Sequence, residues 1–260
     1  MTDAVELVHR VIGYPFAFLI GPFALATFAG ARGHRTVGRT YGIVMTFLYV
    51  TGTALTLTRH PWGTWEFGRN ATFNLLGYSL LLHGWRAIWL RQRPGATRGG
   101  LDLGLLIGQA VLVAAVLTLA VQRTNAPMHV FAVIGLALVA LDVRDWGAGY
   151  DVRTLYRRHI RYILGSYFYV LTVVSIVHLR DELTADARWL WPSVLAVATI
   201  AMVGEGSRLS RWVMRAVLAL SVGFGAYVAW EVVRDNGQVE RVLGVARPAL
   251  DLGHEVQVET

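Results

Sequence analysis

Long apolar stretches recur along the entire chain, separated by short loops that carry arginine. A helix needs roughly 20 apolar residues to cross hydrocarbon. Within lipid, a spanning segment must satisfy its own backbone hydrogen bonds. A chain patterned this way folds as a polytopic bundle of transmembrane helices. Composition agrees: 55% of the 260 residues are apolar and 16% charged, against about 25% charged in a soluble domain.

The apolar windows predict about eight spans, near 6–29, 40–58, 70–90, 102–121, 127–143, 160–179, 188–204 and 211–233. Pro15 and Pro22 predict a break or bend in the first span. Pro127 and Pro192 fit first turns of the fifth and seventh. The bundle occupies 1–234, and 235–260 forms a polar tail with Gly237, Gly244, Pro248 and Gly253. The acidic start, Met1 to Glu6, reads as the lead into a first span rather than an export signal.

Arginine placement predicts orientation, because basic loops stay in the cytoplasm. The loops after the odd-numbered helices hold thirteen arginines, including Arg35, Arg39, Arg91, Arg153 and Arg158. The N-terminus and the loops after the second, fourth and sixth helices hold six. The odd-numbered loops are therefore expected inside and both termini outside, in the inner membrane of a bacterium. The charge of +7 lies in short loops between spans, which suits a lipid bilayer with anionic headgroups rather than nucleic acid.

Missing residues exclude whole classes. All 24 basic residues are Arg and Lys is absent, which removes a retinal Schiff base and lysine-based covalent catalysis. Absence of Cys removes disulfides, thiolate metal sites, iron–sulfur clusters and Cys nucleophiles. There is no HExxH, GxSxG or P-loop. Gly104 and Gly108 form one small-residue packing pair, expected to serve packing within the chain.

Histidine carries the most information. By depth, His9, His129 and His178 fall near the outer face, and His34, His83 and His159 near the inner face. Imidazoles from different helices at matching depth can fill both axial positions of a haem iron. The expected outer pair is His129 with His178, because their helices are sequence neighbours, with His9 able to replace either. The expected inner pair is His83 with His159, with His34 as competitor. Two haem b levels allow electron transfer across the bilayer. The other reading is interfacial: most of these rings lie near helix ends, where water and headgroups bond them, and His83 is the one awkwardly deep. Asp142, Glu205 and Glu231 read either as salt-bridge partners at helix ends or, for Asp142 and Glu231, as proton relays toward a quinone. Arg10 and Arg86 read as snorkelling cations or propionate ligands.

The halves share a pattern. HRTVGRTY (His34–Tyr41) opens one helix and HIRYILGSY (His159–Tyr167) another, each at a cytoplasmic entrance. Two parallel four-helix repeats follow if the match is structural. HRTVGRTY, preceded by Gly21–Pro22, also resembles a family of uncharacterised bacterial predicted membrane proteins with a His-Arg-x-x-Gly-Arg-x-Tyr helix opening. A later His-x-Arg segment of that family corresponds here to His159 and Arg161, closing at Leu179–Arg180. The family is similar in layout to bis-histidine b-type cytochromes, so the resemblance implies haem ligation. Two helices intervene in this chain, and the Trp-Met pair of that later segment is missing. The favoured function is a haem-b electron-transfer protein working with a quinone or a partner protein. The alternatives are a non-catalytic subunit or scaffold packed among other membrane subunits, and a small-molecule transporter.

Overall fold

A computed structural model describes residues 2–26, 32–93, 99–123, 126–148, 151–179, 183–203 and 208–234. They form eight helices: α1 (Thr2–Ala26), α2 (Arg32–Arg59), α3 (Trp65–Arg91), α4 (Gly100–Arg123), α5 (Ala126–Ala148), α6 (Val152–His178), α7 (Ala185–Val203) and α8 (Arg208–Arg234). No strand occurs among the described residues. The chain is an all-helical membrane bundle. The expected tail, Glu205 and Leu179–Arg180's second member lie outside the described residues, as do the side chains of Glu231 and Arg234.

The expected span count needs correction. Four described segments are long and apolar enough to cross a membrane by length and composition: Gly33–Arg59, Gly100–Arg123, Pro127–Trp146 and Val152–Ile176. α3 has the length, but Glu66, Arg69, Asn70, Asn74, His83 and Arg86 dilute its apolar character. Helix starts also differ. α2 and α6 each begin about eight residues before their apolar windows, because Arg propagates a helix well outside hydrocarbon. α7 begins at Ala185, so Pro192 is inside it rather than in its first turn. α1 runs through Pro15 and Pro22 as one helix.

Seven helices follow one another around a ring, in the order α1, α2, α3, α4, α5, α7, α8, with α8 returning to α1. The remaining helix, α6, lies inside this ring against α3, α7 and α1. Its apolar window is 72% buried, against 33%, 22% and 28% for those of α2, α4 and α5. A parallel four-helix repeat would make α2 and α6 equivalent and pair α5 with α6 as α1 pairs with α2. Instead α5 packs along α4 and α7, so the sequence likeness of the halves is not matched by their packing.

Polar caps start two of the helices. Thr64 accepts the amide of Phe67 at the head of α3. Asp151 accepts the amide of Thr154 at the head of α6, and that bond holds its carboxyl below the usual carboxylate range.

α3 and α6 share the most extensive seam among the described residues. A Cβ on Gly77 would sit 2.6 Å from a ring carbon of Tyr49 and 2.7 Å from Tyr169, and one on Gly84 would sit 2.7 Å from Ile163. Small residues let helix backbones approach closely where lipid offers no hydrophobic drive between helices. Gly77→Val should therefore overpack the seam and cost about 1–3 kcal/mol, read as a lower unfolding midpoint in detergent. Gly104→Val is the control, because nothing lies within 4 Å of either Gly104 or Gly108. The two glycines face outward, contrary to the packing role expected inside the chain.

Candidate functional site

The Arg-rich ends of α2, α3 and α6 converge on one cavity of about 1870 Å³. His34, Arg35, Arg39 and Tyr41 reach it from α2, Trp85, Arg86, Trp89 and Arg91 from α3, and Arg153, Tyr156, His159 and Tyr167 from α6. Residues from three of the four loops expected on one side of the membrane, those after the first, third and fifth helices, thus meet at one end of the bundle. No Asp or Glu among the described residues lines the cavity.

Two of its walls carry an imidazole fixed in the same way. His34 Nδ1 donates to the Ala24 carbonyl at 3.0 Å, and His159 Nδ1 donates to the Gly84 carbonyl at 2.9 Å. A carbonyl only accepts, so each Nδ1 carries a proton. Both come from sequence segments singled out by their likeness, so this part of the reading and the structure coincide in place.

His83 is differently held. It is 0% exposed, stacked on Tyr162 with ring centroids 4.7 Å apart. Its Nε2 donates to the Leu105 carbonyl at 3.2 Å. Its Nδ1 lies 3.1 Å from both Asp142 Oδ2 and Arg158 Nη2. With Nε2 on a carbonyl and Nδ1 between Asp142 and Arg158, His83 offers no lone pair to iron in this arrangement. The expected His83–His159 pairing is corrected accordingly: His83 is a packing and hydrogen-bonding residue, and the ring sharing the cavity with His159 is His34.

The outer-level histidines lie on α1, α5 and α6. His129 is on α5 and His178 ends α6, and those helices are not packed lengthwise despite adjacency in sequence. His9 Nδ1 is 2.6 Å from Thr51 Oγ1, which ties it to α2. Among the described residues, no group of three or more His, Asp or Glu gathers as a metal site.

Beside the cavity lies a layer of buried ion pairs that composition alone understated. Arg86 grips Asp102 with two bonds, Nε to Oδ1 at 2.9 Å and Nη2 to Oδ2 at 2.6 Å. Arg158 donates to Asp142 at 2.9 Å and Arg161 to Asp145 at 3.2 Å. Asp102, Asp142, Asp145 and Arg158 are all buried. Arg86, expected to snorkel, is instead locked and stacked 4.3 Å over Trp89. Gln109 completes the layer by accepting from the Tyr162 hydroxyl at 3.3 Å.

The chain matches no family model, no curated protein and no solved structure. Function is therefore argued from this geometry alone.

Proposed function

We propose that the chain is a bacterial inner-membrane haem-b protein that transfers electrons, with one haem at its Arg-rich end between His34 and His159. A single observation carries the reading: two imidazoles from separate helices line one cavity, each with its Nδ1 proton committed to a backbone carbonyl. Metal-bound histidines are characteristically oriented by such a bond on the other ring nitrogen. Arg35 and Arg39 flank His34 and supply cations for haem propionates. When bound, the haem supplies one-electron iron chemistry. The chain's own residues orient the rings, bind the acidic groups and enclose the site with Trp85, Tyr41 and Tyr167. The proposal is one haem, exchanging electrons with a quinone or partner on the Arg-rich side.

The test is a reduced-minus-oxidised absorption spectrum of protein purified from haem-replete cells. A b-type band supports the proposal, and a colourless preparation ends it.

The Arg-rich end is proposed to face the cytoplasm, with both termini outside. The chain has no Cys, so single cysteines report orientation cleanly. In intact cells with a permeabilised outer barrier, an impermeant maleimide should label Trp62→Cys, in the exposed α2–α3 turn, and spare Gln92→Cys. The opposite pattern reverses the orientation.

One observation favours the subunit reading as a second possibility. α4 turns Leu101, Ile107, Val111 and Val121 outward around the open Gly104 and Gly108. That face suits lipid or another helix.

A further inference from the structure

The cavity has more room and more positive charge than one haem uses. Sites for a drug-sized ligand occupy about 300–1,000 Å³, whereas this one measures about 1870 Å³. Beyond His34 and its flanking arginines, the wall made by α3 and α6 presents Arg91 and Arg153 beside Tyr156. Arg91 lies 5.3 Å over the Tyr156 ring, which holds its guanidinium at the mouth. Asp102 is already engaged by Arg86, and the exposed Asp151 carboxyl near Arg153 accepts the Thr154 amide. No ion pair among the described residues uses Arg91 or Arg153. Further in, the lining becomes apolar with Leu82, Leu105, Ile163 and Leu164. Trp85 and Trp89, both partly exposed, stand where amphipathic rings mark a membrane–water boundary. Cations at the rim over an apolar interior suit one chemical class.

We propose that this wall of the cavity binds an anionic, phosphate-bearing amphiphile, with its headgroup on Arg91 and Arg153 and its chain along Leu105 and Ile163. Arginine suits phosphate because its planar fork meets two oxygens at once. The inference rests on the cavity and not on the haem, so either can fail alone.

The test titrates the full-length protein in a non-ionic detergent with dihexanoyl phosphatidylglycerol, dihexanoyl phosphatidylcholine and inorganic phosphate, by calorimetry. Phosphatidylglycerol should bind at least about tenfold more tightly than either, the scale of one charge-assisted hydrogen bond. The Arg91→Gln/Arg153→Gln protein should lose that preference, and each single variant should lose part of it. Arg123→Gln, at the opposite end over Trp65, should keep it. Equal binding of the two lipids overturns the proposal, as does an unchanged preference in the single variants. An equal loss in Arg123→Gln assigns the effect to general surface charge and also overturns it. Inorganic phosphate binding as tightly as phosphatidylglycerol assigns the wall to a free anion and removes the amphiphile. The absorption spectrum, recorded on the same samples, reports haem separately.

Discussion

Purified His34→Ala and His159→Ala proteins are each expected to lose the b-type absorption band almost entirely, while His83→Ala keeps it. Removing either axial ligand leaves iron with one protein imidazole and a large open cavity. His83 differs because its nitrogens serve Leu105, Asp142 and Arg158. Its loss should lower the unfolding midpoint and leave the band in place. The result that sinks the assignment is equally clear: a band surviving in both His34→Ala and His159→Ala, or disappearing in His83→Ala from a protein that still folds. Reading spectrum and unfolding midpoint together separates a lost ligand from a lost fold.

Asp142→Ala should be the most destabilising single substitution in the charged layer, at about 3–5 kcal/mol, the cost of leaving one partner of a buried pair uncompensated. Arg158 is 2% exposed and would retain its charge without the Asp142 carboxylate 2.9 Å away. His83 would lose a partner in the same step. Replacing both members, as Asp142→Leu/Arg158→Met, should cost much less than Asp142→Leu and Arg158→Met summed, since no lone buried charge remains. Reversible unfolding in micelles measures the cycle. Strict additivity would mean that the pair contributes no coupling, and the layer would then be a neighbour of the site rather than its support.

The helices were readable because lipid requires long apolar runs, and each of the eight windows lies largely within an observed helix. Their ends were less readable. RTLYRRHIR (Arg153–Arg161) is too polar for an apolar window, yet it is helical and builds the cavity wall. Among the histidines, depth could be inferred from sequence, but direction could not. His83 and His159 share a level, yet one turns into packed protein and the other lines the cavity. Helical periodicity does not distinguish those environments when both faces of a helix meet other helices, as on α3. Adjacency in sequence is also not adjacency in space: α5 packs along α4 and α7 rather than along α6. The ion pairs did leave a trace. Arg86 with Asp102, Asp142 with Arg158, and Asp145 with Arg161 are each sixteen residues apart across a helical hairpin. An acid and an arginine set at that spacing around a short turn is a signal worth reading in other membrane chains.

The ring around α6 has consequences for how the protein is made. The enclosed helix is the sixth to leave the ribosome, but its enclosure is finished only when α8 docks beside α1, the first. Until then α6 borders lipid on the side that α7 will cover, where Trp191 Nε1 donates to the Ser175 hydroxyl at 2.7 Å. A nascent chain stopped after α6 would thus present that hydroxyl to hydrocarbon, a mark by which quality-control proteases would recognise the unfinished bundle.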